Sequence, residues 1–109
     1  MANVYKNSKV DLTNTNVTTL YTAPSATTAI VRSVLVSNDS GSEDTITLTI
    51  TDSASAVFSV YKNESVGALS SEELLKQPLV VMESEILKVT AATANRLHVT
   101  TSYLEVHNG

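Results

Sequence analysis

The amino-acid sequence predicts an all-β protein: an antiparallel β-sandwich, jelly-roll-like, with about eight strands. Apolar and polar residues alternate through most of the chain, which is the pattern of strands with one buried face. Turn-forming residues recur about every eight to twelve positions, as they do in sandwiches and small barrels. The polar positions are mostly Thr and Ser, and β-branched Thr favours strands. No segment resembles a crossover helix, which disfavours a parallel α/β fold.

The length and charge limit the classes of protein that this chain can belong to. Its 109 residues suit one domain, so we expect a single β-sandwich over residues 1–109, with residues 1–10 as a strand or a partly extended N-terminal arm. A net charge of −4 disfavours binding to nucleic acid or anionic membranes. The absence of cysteine excludes disulfides and thiolate metal sites. The longest apolar stretch, residues 79–82, is too short to span a bilayer, and no signal peptide is evident, so we expect synthesis in the cytoplasm.

The first third of the chain carries three predicted strands. Residues 4–12 form a loose first strand, and residues 17–22 form a short second one. The second ends near Pro24, which cannot donate to a ladder and marks a turn or an edge. Residues 29–37 are too apolar for a half-exposed strand, which predicts a central strand that is well covered.

The clearest strand follows a strong turn signal. Residues 38–42 are predicted to join the central strand to the next one as a hairpin, with Gly41 supplying a positive φ if the turn needs it. In the next strand Ile46, Leu48 and Ile50 alternate with threonines at positions 45, 47, 49 and 51. This pattern predicts one buried face and one outward ladder of threonines.

The second half of the chain continues the strand pattern. Residues 57–61 are predicted as a strand and residues 63–68 as a loop around Gly67. Residues 72–76 fit either a helical turn or a strand. The last strands are predicted over residues 79–82, 86–91 and 97–107.

Candidate chemistry is sparse. The two histidines have no spaced partners, and no sequence motif for nucleophilic or metal-dependent catalysis occurs, so we expect no enzyme activity and no cofactor. Asp39, Glu43 and Asp44 lie in an oxygen-rich turn and are weak calcium candidates. A polar turn without a metal accounts for the same residues, and their spacing matches no EF-hand loop.

The aromatic residues are better candidates for packing and for interfaces than for chemistry. Tyrosine buries its ring while keeping its hydroxyl hydrated or hydrogen-bonded, which suits both settings. His98 falls on the polar side of the last strand and is predicted to lie on the surface or at an interface. The candidate interface residues are Val4, Tyr5, Tyr21, Tyr61 and Tyr103.

Five segments carry a resemblance to a known group of proteins. They are TTLYTAP at 18–24, AIVRSVLVSN at 29–38, LKQPLVV at 75–81, EILKV at 85–89 and ANRLHV at 94–99. Together they resemble small virion structural proteins of tailed, marine-type bacteriophages, over about residues 4–106. The resemblance implies a non-enzymatic β-rich part of the virion, with a capsid decoration (cement) protein as the first expectation.

The expected partners follow from that resemblance. They are major capsid or tail proteins and further copies of the chain, with a trimer favoured because local three-fold sites recur in icosahedral shells. Many weak contacts repeated over a lattice give high total stability. Two alternatives remain open at this point: a tail- or fibre-associated adaptor, and a carbohydrate-binding module for host attachment.

Overall fold

The computed structural model describes residues 3–107, and every regular element in that range is a β-strand. No helix in these residues is long and apolar enough to cross a membrane. The strands are β1 (Asn3–Leu12), β2 (Thr18–Thr22), β3 (Thr27–Asn38), β4 (Asp44–Thr51), β5 (Val57–Val66), β6 (Ser70–Glu73), β7 (Leu79–Val81), β8 (Ile86–Ala91) and β9 (Leu97–His107).

The strands form two antiparallel sheets that enclose the core. The first sheet has the order β1-β9-β3, and both β6 and β7 pair with the remaining edge of β3. The second sheet has the order β2-β8-β4-β5. Short β6 and β7 together act as one edge strand that is interrupted by residues 74–78, where Pro78 has no N–H to donate.

The strand pairs are nested along the chain. β1 pairs with β9, β2 with β8, β3 with β6 and β7, and β4 with β5. Two further pairs, β9 with β3 and β8 with β4, fold this long ribbon into two sheets. The arrangement confirms the predicted all-β antiparallel sandwich. The described part of the chain has nine strands because the interrupted edge counts twice.

The core lies between the inner faces of the two sheets, and β9 shows how the sequence pattern creates it. Leu97, Val99 and Tyr103 point inward and are buried, whereas His98 and Ser102 between them are exposed. Removing such apolar surface from water is the main favourable term in folding, at roughly 25 cal/mol per Å². The largest fully buried apolar side chains are Leu12, Val31, Val34, Val36, Ile46, Leu48, Val66, Val81, Leu87, Val89 and Leu97.

A β-bulge changes the phase of β3. The pairing with β9 shifts between Val31 and Ser33, so Arg32 is the extra residue. Inward positions therefore pass from Val31 to Val34, which keeps the buried face continuous. Glu73 of β6 stabilises the bulge, because its Oε2 accepts the N–H of Val34 at 2.8 Å and its Oε1 accepts the Ser33 hydroxyl.

The prediction that the apolar third strand, β3, is well covered is wrong for one of its faces. β3 is central, with β9 on one side and β6 and β7 on the other. Within residues 3–107, its outer side chains nevertheless have no layer above them, and Leu35 is 39% exposed. This segment has more apolar residues than one regularly alternating buried face needs, for two reasons. The bulge shifts the inward-facing positions by one residue partway along the strand. The outer face also carries apolar residues.

The predicted hairpin at residues 38–42 is also wrong. β3 and β4 belong to different sheets, so this turn crosses the sandwich and does not join paired strands. No glycine has a positive φ in the described residues, and Asn38 orders the turn instead. Its Oδ1 accepts the N–H of Ser40 at 3.0 Å, and its Nδ2 donates to the carbonyls of Ser42 and Val66 at 2.9 and 3.1 Å.

Three further local predictions need correction or refinement. The loop predicted at residues 63–68 is mostly strand, because β5 continues to Val66. Of the two alternatives for residues 72–76, the strand is found at its start, since β6 ends at Glu73 and no helical turn follows. Thr45, Thr47 and Thr49 form the predicted outward ladder, but Thr51 is buried.

The N-terminal segment is a regular strand over its described length. All ten residues of β1, Asn3–Leu12, pair with β9 without a register shift. The partly extended arm considered for residues 1–10 is therefore a sheet strand from Asn3 onward, and residues 1 and 2 lie outside the described range.

Candidate assembly surface

The outer face of the first sheet, which points away from the second sheet, carries a row of apolar side chains. Leu104 of β9 lies opposite Tyr5 on one side and Ile30 on the other, and Ile30 lies opposite Val80. We call these four residues the apolar row. Tyr5 is 72% exposed and Val80 is 50% exposed, while Leu104 and Ile30 between them are half-buried. Together they form an apolar stripe across four strands, and no layer of described residues covers it.

The apolar surface is concentrated at one end of this outer face, and Leu35 is the apolar outer residue of β3 toward the other end. Val106 continues it along β9, and exposed Met82 follows β7 at the same end. Toward the other end the outer positions become polar, as in the pair of Asn7 with Ser102 and the pair of Asp11 with His98. A contiguous exposed apolar patch with a polar border is typical of an interaction surface.

The structure separates the five candidate interface residues into two groups. Val4 and Tyr5 are exposed on β1, and Tyr61 is half-buried on β5. Tyr21 and Tyr103 are buried in the core, and their ring centroids lie 4.2 Å apart. Only Tyr5 belongs to the apolar row.

The buried tyrosines belong to a cluster around the carboxylate of Glu105, which is 2% exposed. The Tyr21 hydroxyl donates to Oε2 at 2.7 Å, and Lys6 Nζ lies 2.9 Å from Oε1. His107 Nε2 lies 3.5 Å from the same Oε1. The Tyr103 hydroxyl shares a 2.9 Å hydrogen bond with the Ser8 hydroxyl. The cluster therefore links β1, β2 and β9.

Electrostatics in the cluster favour a charged carboxylate. Burial by itself raises the pKa of Glu105, but the hydrogen bonds from Tyr21 and Lys6 and the charge of Lys6 outweigh it and hold that pKa below its usual value. Burial first, and then the hydrogen bond to Glu105, raise the pKa of Tyr21. The hydrogen bond and charge of Glu105 raise the pKa of Lys6. This pattern is that of an ion pair that fastens the edge strand β1 to the sandwich.

The acidic turn does not assemble as a cation site. Both Asp44 carboxylate oxygens accept backbone N–H groups, from Thr45 at 2.8 Å and Thr93 at 3.2 Å. Asp39 instead lies 3.9 Å from the ring of His98, while Glu43 is exposed. Among the described residues, no group of three or more His, Cys, Asp or Glu side chains is placed to hold a metal ion.

A shallow cavity of about 310 Å³ opens where the two sheets diverge. It is lined by Val60 and Tyr61 of β5 and by residues 75–79, which connect β6 to β7. No local sequence pattern predicts it, because the sheet to which each edge strand belongs is not encoded locally.

The apolar row and the Glu105 cluster have partial signals in the sequence. Leu104 and Val106 are apolar at the outward phase of β9, whereas the core of that strand uses Leu97 and Val99. Glu105 is an acidic residue at the inward phase of the same strand. These out-of-phase residues all lie at the C-terminal end of β9, but their partners on β1, β2 and β3 depend on the tertiary fold.

No family model matches the chain, and no curated protein matches its sequence. Solved structures do share its fold. The chain is similar to one from the disulfide-linked pili that form Bacillus endospore appendages, with a TM-score of 0.59 and 13% identity over 98% of this chain and 89% of that one. It is also similar to a chain of the acid-stable capsid of Helicobacter pylori bacteriophage KHP30, with a TM-score of 0.58 and 12% identity over 98% of this chain and 94% of that one.

Proposed function

We propose that this chain is a non-enzymatic structural protein of a bacteriophage particle. The observation that carries the proposal is the apolar row, Tyr5, Leu104, Ile30 and Val80, which lies across the first sheet and is not covered by any part of the chain that the structure describes. A surface of this kind costs free energy in water and is stabilised when a partner covers it. In a particle, neighbouring subunits supply that cover.

The fold supports this proposal. The nested strand pairs support a jelly-roll-like arrangement, and jelly rolls recur in viral capsid domains and in lectins. The similarity to a phage capsid chain extends over nearly all of both chains. Fold alone does not assign function, and the apolar row adds the site-level argument.

In its finer form, the proposal is a capsid decoration (cement) protein of the tailed-phage type. The chain would form a homo-oligomer, with a trimer favoured, that binds major capsid proteins through the apolar row and stabilises the head. Each contact is small, but repetition over a lattice converts weak contacts into strong retention. The protein would be made in the host cytoplasm and would reside in the virion.

A tail- or fibre-associated adaptor is the second candidate. The similarity to a chain of the Bacillus appendage pili supports it, because those pili are filaments. The carbohydrate-binding alternative has no comparable support. The Asp44 carboxylate, which would assist a calcium-dependent sugar site, is occupied by two backbone N–H groups.

The test is the protein content of purified particles from a phage that encodes this chain. Heads are separated from tails, and each fraction is analysed by quantitative mass spectrometry. Many copies in the head fraction support decoration, and recovery with tails supports the adaptor. Intact, infectious particles without the chain would refute a structural role.

A pair of variants tests whether the apolar row makes the contact. Leu104→Lys places a charge in the row, and Thr100→Lys places the same charge on the polar part of the same face of β9. We expect Leu104→Lys to abolish recovery with particles and Thr100→Lys to retain it. Equal recovery of the two folded variants would exclude the row as the contact.

A further inference from the structure

We propose that the free edge of β1 pairs antiparallel with β1 of a second copy, about a two-fold axis at Asn7. The first sheet then continues from one copy into the other. The inference rests on the proposed function for its biological meaning. A two-fold contact joins copies in pairs, so it would link two chains, or two trimers, and does not itself build a trimer. Its test needs only the purified chain.

The edge of β1 has the features of a pairing template. Its ten residues, Asn3–Leu12, keep one unbroken register with β9 and contain neither Pro nor Gly. Among residues 3–107, no strand pairs with its other edge. A long, straight and open edge presents a row of unpaired N–H and C=O groups, which proteins either block or use.

The other edges of the described sandwich are blocked by such devices. β2 spans five residues and has a register shift next to Leu20. β5 has two register shifts against β4 and a positive φ at Asn63. The edge formed by β6 and β7 is interrupted by residues 74–78. In a second copy, the open strand edge that is straight and matches β1 in length is therefore the edge of that copy's β1.

The side chains of β1 are compatible with pairing about Asn7. Opposite residues of antiparallel strands point to the same face, so Tyr5 lies against the partner's Lys9 and Asn3 lies against the partner's Asp11. On the inner face, Val4 lies opposite the partner's Val10. The register places no like charges directly opposite each other, and it brings an ammonium group next to an aromatic ring.

Lys6 supports this choice of register. An axis at Lys6 would oppose two lysines directly, whereas the axis at Asn7 places each Lys6 opposite the partner's Ser8. The charge of Lys6 is also balanced within its own chain, because its Nζ lies 2.9 Å from the Glu105 carboxylate. A lysine on an edge strand ordinarily discourages pairing, and here that repulsion is neutralised.

Pairing of this kind would strengthen the binding that the proposed function requires. A two-fold axis perpendicular to the sheet leaves the outer faces of both copies on the same side. The two apolar rows then form one larger surface that a lattice can bind at two points. Because two linked sites raise the effective concentration of the second contact, the paired form binds more tightly than a single copy.

The absence of cysteine from the chain permits a direct test. At an axis on Asn7, the two Asn7 Cα atoms lie about 4.5–5.5 Å apart, within the range that a disulfide spans. Ser102 pairs with Asn7 inside one chain and is exposed on the same face. The two Ser102 residues lie three strand spacings apart, about 14 Å, which is too far. Ser102→Cys is therefore a matched control.

The expected result is that Asn7→Cys oxidises to a covalent dimer at least about tenfold faster than Ser102→Cys at equal concentration, as an intramolecular reaction does. Circular dichroism and thermal unfolding establish that both variants are folded. Equal oxidation rates, or faster dimer formation by Ser102→Cys, would overturn the proposal. The readout counts linked pairs, so it holds whether the chain in solution is a dimer or a larger oligomer.

Charge exchange at the axis gives a second, independent readout. Asn7→Lys and Asn7→Glu each oppose two like charges, so each variant alone should lose the pair in light scattering. A mixture of the two should restore it, whereas Ser102→Lys should match the wild type. No change in either single variant would overturn the proposal. Paired chains that are absent from phage particles would refute the proposed function and leave the pairing intact.

Discussion

Replacing Tyr21 with Phe tests the interpretation of the Glu105 cluster. The change removes one hydroxyl and leaves the buried ring in place. That hydroxyl donates to Glu105 Oε2 at 2.7 Å, and the carboxylate it serves is almost fully buried. A buried charge that loses a hydrogen-bond donor keeps its desolvation cost, so the folded state is destabilised.

The magnitude follows from the kind of bond. Hydrogen bonds to charged groups contribute about 1.5–3 kcal/mol, so we expect the free energy of unfolding to fall by about 2 kcal/mol. For a domain of this size, that loss lowers Tm by about 10 °C. Urea unfolding at neutral pH, followed by circular dichroism, measures it directly.

The pH dependence of this loss separates a charged partner from a packing effect. The pKa of Glu105 is lowered from its usual value of 4.5, so its stabilisation is complete above pH 4.5 and is lost as the pH falls through the lowered pKa. The hydrogen bond from Tyr21 contributes to that lowering, so removing it raises the pKa of Glu105. The difference between Tyr21→Phe and the wild type should therefore shrink below pH 4.5.

Tyr103→Phe is the matched control. Tyr103 is as buried as Tyr21 and stacks beside it, but its hydroxyl shares a neutral hydrogen bond with Ser8. We expect a loss of about 1 kcal/mol that does not change with pH between 3 and 7, a range chosen about the usual carboxyl pKa. Equal losses in the two variants, or a Tyr21→Phe effect that is constant with pH, would refute the charged-cluster interpretation.

Three further predictions concern single side chains, all measured by urea unfolding. Thr51→Val should stabilise the protein by about 1 kcal/mol, because the buried Oγ1 of Thr51 has no hydrogen-bond partner among the described residues. Thr101→Val should destabilise it by about 1 kcal/mol, because the Oγ1 of Thr101 donates a hydrogen bond to a carbonyl. Asn38→Ala should cost about 2–3 kcal/mol and exposed Asn14→Ala under about 1, so equal losses would show that Asn38 does not order its turn. Gly41→Ala should be neutral or stabilising by about 0.4–1 kcal/mol, because φ is not positive there and the added Cβ meets no atom within 4 Å; a clear loss would contradict this turn geometry.

Local alternation predicts most strands and their buried faces correctly, since a period of two is a property of adjacent residues. Leu48 and Val99 point inward as the pattern indicates. The assignment of strands to sheets is not local. The polar turn after Asn38 has the composition of a hairpin, yet it crosses between sheets because β9 and β8 occupy the positions beside β3 and β4.

The candidate site is less predictable than the fold. Tyr5 could be named from the sequence because tyrosine buries its ring while keeping its hydroxyl hydrated, a combination that suits interfaces. Its neighbours in the apolar row lie about 25 to 99 residues away along the chain, by subtraction of their numbers. The burial of Tyr21 likewise depends on Glu105, at the other end of the chain, as its hydrogen-bond acceptor. Such long-range partners leave no local pattern.

The pairing of β1 with β9 also determines how the protein responds to mechanical force. The start of β1 and the end of β9 lie side by side, with Asn3 opposite Val106. Tension between these two points peels the strands apart one residue pair at a time and does not shear all the bonds at once. Within the first few residues, separation of the strands must break the Lys6–Glu105 ion pair. Beyond that point, the backbone hydrogen bonds between β1 and β9 break one after another. Load in an assembly is therefore carried better through the broad sheet face than through the two chain ends.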